Sequence, residues 1–211
     1  CFVRTGDDAI EVKSTSSRNG AMTRNIVYEN NCVWTDKGIG YGAIYEAAHD
    51  MDGVLFRNNS IGFAQAAWSE HLGCCTVQMG SNRDATWENI VFENIEIYKT
   101  NCAAMSVYDK AATASEGGTI RNVYFKNIVV KYAEQSNLPV YALRVTVRLG
   151  GGVDGDNCSV RNLYIDGVDY QGTAVTAANY KTYSQIAVDE GATFSDRYIR
   201  VNTDPDRGES A

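Results

Sequence analysis

A six-residue pattern recurs five times along the chain and constrains its fold more than any other feature. Each copy has an apolar residue at its second position, an aromatic or apolar residue at its fourth, and Asn or Gly at its ends. The copies start at intervals of 28 to 40 residues, and periods of this length are typical of solenoids and other arrays of supersecondary units. The five copies are Asn25–Asn30, Gly53–Asn58, Asn89–Asn94, Asn122–Asn127 and Asn162–Gly167.

Apolar residues alternate within each copy, as they do in a strand with one buried face. A second apolar position follows each copy at a fixed offset, so the unit reads as strand, tight bend, strand: Val33, Ile61, Ile97, Val130 and Tyr170. The closing Asn or Gly marks the bend, because these two residue types most readily adopt a left-handed backbone. Stacked at equivalent positions, the asparagine side chains would form a hydrogen-bonded ladder.

The pattern therefore predicts an all-β solenoid. Helical repeats are disfavoured, since the copies are rich in β-branched and aromatic residues and have period two. A propeller blade is harder to exclude, but it would need four strands per unit. We expect residues 1–202 to form coils and 203–211 to form a polar tail. Because no polar cap precedes Cys1, we also expect the solenoid to lack its N-terminal coils, which would belong to the same protein.

Charge and composition exclude several function classes. A net charge of −7 and a pI near 4.9 disfavour nucleic acid as a partner, because phosphate recognition concentrates Lys and Arg. The sequence contains no run of about 18 apolar residues, so it predicts no membrane span. The chain has two histidines and neither zinc-type nor calcium-type motifs, so we expect no metal and no cofactor. Among the six cysteines, adjacent Cys74 and Cys75 are the best candidates for one exposed disulfide in a secreted protein.

Two adjacent carboxylates, Asp7 and Asp8, stand ahead of the first repeat. An inverting glycosidase needs a protonated acid and a carboxylate base about 6.5–9.5 Å apart, with room for water between them. Two carboxylates held close together raise the pKa of one of them, which then stays protonated near neutral pH. Adjacent residues on a regular strand face opposite ways, so Gly6 would supply the irregular backbone that turns both towards a groove. The alternative is that Gly-Asp-Asp is simply a polar turn.

Gly6-Asp7-Asp8-Ala9-Ile10, together with the repeats and Asn31-Cys32-Val33-Trp34, resembles the right-handed parallel β-helix glycoside hydrolases. The dextranase and isopullulanase family is the nearer likeness and the polygalacturonases are more distant. The resemblance implies a right-handed, single-stranded parallel β-helix in which Asp7 is the general acid and Asp8 a base or a water-positioning group. It also implies a third carboxylate upstream of Cys1.

The resemblance also bears on the substrate. Gly40-Tyr41-Gly42 stands where polygalacturonases carry Gly-His-Gly, and no Arg-Ile-Lys follows to grip a uronate. A neutral α-glucan such as dextran or pullulan therefore fits better than pectin. Asp50 and Asp52 are weaker candidates for the same groove, and Trp34 is expected mainly to pack. The residues expected to contact sugar are Tyr41, Tyr45, Glu46, Trp68 and His71.

Together these features predict a secreted, metal-independent, inverting glycoside hydrolase that acts on a neutral polysaccharide. One rival is a non-catalytic β-helix that binds glycans or builds a fibre, like a tailspike or adhesin. Another is a polygalacturonase, lyase or epimerase on the same fold.

Overall fold

The structure, a computed structural model, describes residues 1–15, 22–65, 72–80, 85–110, 118–134, 140–148, 158–188 and 199–202. Most of these residues lie in strands, and they include no α-helix, only a single-turn 3₁₀ helix at Tyr180–Tyr183. The strands are β1 (Phe2–Thr5), β2 (Ile10–Ser14), β3 (Thr23–Glu29), β4 (Cys32–Thr35), β5 (Tyr41–Ala47), β6 (Met51–Ala64), β7 (Gly73–Gly80), β8 (Ala85–Ile97), β9 (Ala103–Lys110), β10 (Gly118–Val130), β11 (Leu143–Arg148), β12 (Cys158–Asp166), β13 (Asp169–Tyr170), β14 (Thr173–Ala174), β15 (Ser184–Val188) and β16 (Ile199–Asn202).

The strands form two sheets. The ten-stranded sheet follows the order β1-β4-β6-β8-β10-β12-β16, with β3 beside β6 and the short hairpin β13–β14 beside β10. The six-stranded sheet follows the order β15-β11-β9-β7-β5-β2. Every pairing is parallel except that of β13 with β14. The predicted all-β class with parallel strands is confirmed.

The five copies of the pattern lie side by side in the ten-stranded sheet. The residues at the second position of the pattern pair in register from copy to copy: Ile26, Val54, Ile90, Val123 and Leu163. The apolar residues that follow each copy do the same: Val33, Ile61, Ile97, Val130 and Tyr170. The predicted offset is therefore confirmed, and the unequal intervals leave the pairing register unchanged.

The bends lie at the predicted positions. Asn58, Asn94 and Asn127 have φ of 55°, 55° and 52°, and Gly167 has φ of 62°. Each described long strand β6, β8 and β10 continues through its bend without interruption. The opening residue of each copy is left-handed as well, a feature that the sequence reasoning missed, so each copy contains two bends: Asn25, Gly53, Asn89, Asn122 and Asn162.

Asparagine side chains link one copy to the next. Asn94 Nδ2 donates to Asn58 Oδ1 at 2.9 Å, and Asn127 Nδ2 donates to Asn94 Oδ1 at 3.0 Å, which confirms the predicted ladder. The ladder ends at Gly167, where a Cβ would collide with the Asn127 amide oxygen. A second ladder joins the opening residues, since Asn122 donates to Asn89 at 3.2 Å and Asn162 donates to Asn122 at 3.1 Å.

One hydrophobic core includes residues of both sheets. The fourth-position aromatics of the copies stack along it, with ring centroids 4.9 Å apart for Phe56 and Phe92 and 5.3 Å apart for Phe92 and Phe125. All three side chains are fully buried, and each such burial stabilises the fold by about 1.5–3 kcal/mol. The alternation read from the sequence thus corresponds to a continuous aromatic column.

The cysteines contradict one prediction. Cys74 and Cys75 are both fully buried free thiols, so an exposed bridge between them is wrong. Cys74 Sγ instead lies 3.9 Å from Cys102 Sγ. Burial raises the pKa of both Cys74 and Cys75, which keeps these thiols protonated. The expected tail, 203–211, lies outside the described residues.

Candidate active site

Asp7 and Asp8 form the turn between β1 and β2. The Asp7 N–H donates to Thr5 Oγ1 at 3.1 Å, and the Asp8 N–H donates to Asp7 Oδ1 at 2.9 Å. Asp7 is exposed and Asp8 is partly buried. The turn therefore separates the two adjacent carboxylates into different environments.

The segment between β4 and β5 fixes this turn. Thr35 Oγ1 donates to the Asp7 carbonyl at 2.6 Å and accepts the Gly38 N–H at 2.9 Å. The Ile39 N–H donates to Asp8 Oδ1 at 2.9 Å. Because Thr35 is fully buried, the turn is anchored from the protein interior.

The turn that carries Asp7 and Asp8 requires a glycine at position 38. An ideal Cβ on Gly38 would lie 2.4 Å from Asp8 N and 2.5 Å from Asp8 Oδ1, so the close approach of the two segments excludes any side chain there. A Cβ on Gly6 would meet nothing within 4 Å, and the described glycines with positive φ do not include Gly6. The prediction that Gly6 provides the special backbone is therefore wrong.

Burial raises the pKa of Asp8. The hydrogen bond from the Ile39 amide acts in the opposite direction because it stabilises the carboxylate, whereas the negative charge of Asp7 raises the pKa further. The expectation that the pair would raise the pKa of one member is met at Asp8. The larger cause, however, is desolvation rather than the neighbouring charge.

Glu11, Lys13 and Glu46 extend the site along the edge of the six-stranded sheet. Lys13 Nζ lies 3.3 Å from Glu11 Oε1 and 3.0 Å from Glu46 Oε2. Burial raises the pKa of Glu11, and the charges of Asp8 and Glu46 add to this effect while Lys13 opposes it. Glu11 Oε2 is enclosed, and the Glu11 carboxyl lies within hydrogen-bonding reach of the Asp8 carboxyl. These three residues together with Asp7 and Asp8 form what we call the acid cluster.

Lys13 connects the members of the acid cluster. Burial lowers its pKa, but the hydrogen bond with Glu46 and the charges of Glu11 and Glu46 outweigh that effect, so its pKa is raised overall. Its ammonium therefore remains charged and lowers the pKa of both Asp8 and Glu11.

A register shift between β2 and β5 brings Glu46 to this cluster. Val12 pairs with Ala43, but the next pairing is Ser14 with Ala47, so three residues of β5 face Lys13 alone. Tyr45, in the middle of the three, has φ of +66°. A bulky residue in the left-handed region is a strained position of the kind found at binding and catalytic sites. Tyr45 is 48% exposed, and its ring lies over Gly80 of β7, where a Cβ would lie 3.3 Å from Cδ2 and Cε2.

Tyr41 is a core residue. It is 0% exposed, and its hydroxyl donates to the carbonyls of Asn31 and Ser60 at 3.1 and 3.2 Å. The prediction of a sugar contact is therefore wrong. The flanking glycines are required by close packing, since a Cβ on Gly40 would lie 2.5 Å from Ile61 Cδ1 and one on Gly42 would lie 2.4 Å from Ile39 Cδ1.

Other candidates fall elsewhere. Asp50 accepts the Thr86 N–H at 2.8 Å and Asp52 accepts the Asn89 amide at 2.7 Å, so both link neighbouring copies beside or within the ten-stranded sheet and do not join the acid cluster. Trp68 and His71 lie outside the described residues. Trp34 packs against Phe63 but is 36% exposed, so it is not the core residue that the sequence analysis expected.

Glu11 and Lys13 are the site residues that sequence reasoning missed. The signal was present in the alternation Ile10-Glu11-Val12-Lys13-Ser14 directly after the carboxylate pair. Period two places Glu11 and Lys13 on the same face of β2, and Val12 and Ser14 are the buried residues of that strand.

Two features are absent from the ranges that the structure describes. No three His, Cys, Asp or Glu side chains in these ranges are grouped so as to hold a metal ion. The same ranges contain no helix with the length and hydrophobicity of a bilayer span.

Comparison of the chain with protein-family models, with curated protein sequences and with solved structures finds no match. The geometry of the site itself therefore provides the basis for a functional assignment.

Proposed function

We propose that this chain belongs to a secreted glycoside hydrolase that cleaves a neutral polysaccharide, such as an α-glucan, with inversion. The finer fold in this proposal is a right-handed, single-stranded parallel β-helix with further coils on its N-terminal side. Support for it comes from the parallel pairing of equivalent residues in successive copies and from strands that alternate along the chain between two sheets. A groove along the six-stranded sheet would hold the polymer.

The observation that carries the proposal is the unequal environment of Asp7 and Asp8. A general acid must hold its proton near the working pH, and burial raises the pKa of Asp8 in that direction. We therefore assign the acid to Asp8 and the positioning or activation of water to Asp7, which reverses the roles that the family resemblance implies. Asp8 would protonate the glycosidic oxygen as the bond to the anomeric carbon breaks.

The charge of the acid cluster supports a neutral substrate. The acid cluster has four carboxylates, those of Asp7, Asp8, Glu11 and Glu46, and a single ammonium group, that of Lys13, which already contacts Glu11 and Glu46. A uronate would be repelled here, because like charges at short range cost several kcal/mol. Neutral hydroxyl groups can instead donate hydrogen bonds to the exposed carboxylate oxygens of Asp7.

A glycan-binding protein without catalysis is the second candidate. The exposed Trp34 packs against the half-buried Phe63 with ring centroids 5.4 Å apart, and Arg4 lies 5.7 Å from the Trp34 ring. Such a surface can stack against pyranose rings without any chemistry.

Reducing-sugar release from dextran, pullulan, polygalacturonate and galactans tests the proposal. We expect hydrolysis of a neutral glucan and a loss of about 10²–10⁴-fold in rate for Asp8→Asn, the contribution typical of a general acid. Asp166→Asn, on β12 and outside the acid cluster, is the matched control and should retain activity. Proton NMR of the first product should show the inverted anomer. Retained binding with no hydrolysis of any polymer would favour the second candidate.

A further inference from the structure

A cleft rich in tyrosines lies at the opposite end of the six-stranded sheet from the acid cluster. It has a volume of about 660 Å³, and its walls include Tyr132, Tyr141, Tyr170 and Tyr183. The 3₁₀ helix that carries Tyr183 leads directly into edge strand β15, whereas the acid cluster lies on edge strand β2. Five strand spacings of about 4.8 Å lie between β15 and β2, so these two edges of the sheet are roughly 24 Å apart.

The tyrosines divide into fixed and exposed members. Tyr170 is 7% exposed, its hydroxyl donates to the Val140 carbonyl at 2.9 Å, and its ring lies 5.8 Å from that of Tyr183. Tyr132, by contrast, is 51% exposed. The cleft thus combines a rigid aromatic base with an accessible ring at its margin.

Gln171 adds a polar group to the cleft in a strained backbone. It has φ of +54° and is followed by Gly172 with φ of +81°, as the two-residue turn between β13 and β14 requires. Turns of this kind favour Asn, Asp or Gly at the first position, so Gln is unusual there. Gln171 Oε1 accepts the Ala133 N–H at 3.3 Å, which orients the amide and leaves its Nε2 to donate.

Aromatic walls suit either a sugar ring or an organic cation, and the charges favour the sugar. Glu134 is the acidic side chain of the cleft, and it is already paired with Lys99 Nζ at 2.7 Å. Lys99 also lies 5.8 Å from the Tyr132 ring, so a second cation would meet an ammonium group. A neutral pyranose can use the same ion pair as both donor and acceptor for its hydroxyls.

We propose that this cleft is a second carbohydrate-binding site, which takes neutral pyranose units of a glycan by stacking on Tyr132 and by hydrogen bonds to Gln171 and the Glu134–Lys99 pair. It would hold a distant part of a polymer while the acid cluster acts on another. The proposal goes beyond the hydrolase activity, because binding here needs no catalysis.

Isothermal titration with isomaltohexaose, maltohexaose and cellohexaose tests the site, using Asp8→Asn protein so that no probe is consumed. We expect one of the three to bind, and Tyr132→Ala to weaken that binding about tenfold or to remove one bound equivalent, as loss of an aromatic contact would. Tyr98→Ala is the matched control, because Tyr98 is 50% exposed and lies outside the cleft. It should leave the affinity unchanged.

Gln171→Gly provides a second variant that keeps the fold, since Gly adopts positive φ without strain. It should weaken binding without lowering the melting temperature. The proposal is overturned if none of the three sugars binds, if choline binds in their place, or if both cleft variants bind like the parent. Failure of the hydrolase proposal would show as absent sugar release while this binding persists, so the two outcomes are distinguishable.

Discussion

Gly38 and Asp8 approach each other so closely that a Cβ on Gly38 would lie 2.5 Å from Asp8 Oδ1 and 2.4 Å from Asp8 N. The contact is with backbone as well as side chain, so a rotamer change cannot relieve it. The position of the proposed acid is therefore determined by a residue of the following repeat.

Gly38→Ala should displace the turn that carries the two carboxylates. We expect about a 100-fold loss of hydrolysis, since a misplacement of about 1 Å has that effect on catalysis, and a smaller loss of stability, about 1–3 kcal/mol, from overpacking. Sugar-release rates and thermal unfolding measure the two effects. Gly6→Ala is the control, because its new Cβ would meet nothing within 4 Å; equal losses for both variants would contradict the assignment.

Asp8→Asn should stabilise the protein at pH 7 and have little effect near pH 3. Burial raises the folded-state pKa of Asp8, so the stability associated with the protonated form is complete below the unfolded pKa of about 3.9 and is lost as the pH rises through the folded value. Asn removes the charge and keeps an oxygen to accept the Ile39 N–H. Urea unfolding at the two pH values measures the difference.

Glu96→Gln is a control in which the expected change in stability at pH 7 has the opposite sign to that of Asp8→Asn. Hydrogen bonds from Tyr98 and Lys131 lower the pKa of Glu96, so its ionised form contributes stability above the unfolded pKa that is lost as the pH falls. This variant should be slightly destabilised at pH 7, by less than about 1 kcal/mol because the pair is exposed, and unchanged at pH 3. Stability changes of the same sign for both variants would argue against a raised pKa at Asp8.

The repeat could be predicted from sequence because its pattern records two local requirements. Alternating apolar residues such as Ile90 and Phe92 indicate the buried face, and Asn94 marks a backbone that few other residues adopt. Stacking then sets the register, because a one-residue slip would turn the buried side chains outward. The prediction missed the bend at Asn89 because the pattern makes Asn89 the first residue of a strand, whereas β8 already begins at Ala85.

The site was less predictable because its geometry depends on contacts between repeats. Gly40-Tyr41-Gly42 suggested a sugar contact at Tyr41, whereas each glycine is required by a side chain packed against it. The shift that brings Glu46 to Lys13 arises from β5 pairing in register with β7 but not with β2. A difference in register between two strand pairings has no signature in the local sequence.

Asn94→Gly and Asn94→Ala should separate the ladder from the bend. Gly keeps the φ of +55° and loses the hydrogen bonds to Asn58 and Asn127, which should destabilise the fold by about 0.5–1.5 kcal/mol for each bond. Ala loses the same bonds and adds a left-handed strain of about 1–2 kcal/mol. Urea unfolding measures both variants, and similar stabilities for the two would show that the backbone conformation adds no cost.

Lys13→Met should shift the titration of the acid cluster to higher pH. The Lys13 ammonium lowers the pKa of Asp8 and of Glu11, so its removal leaves both carboxyls protonated to a higher pH. Because Asp8 acts as an acid only while protonated, the alkaline limb of kcat/KM should move upward. Carbon NMR of the Asp8 carboxyl reports the same shift whether or not the variant hydrolyses sugar.

Lys131→Met is the matched control, since Lys131 also pairs with a glutamate at 3.0 Å, Glu96, outside the acid cluster. If the Asp8 titration stays fixed in Lys13→Met, or moves to lower pH, then Lys13 does not set the charge state of the proposed acid.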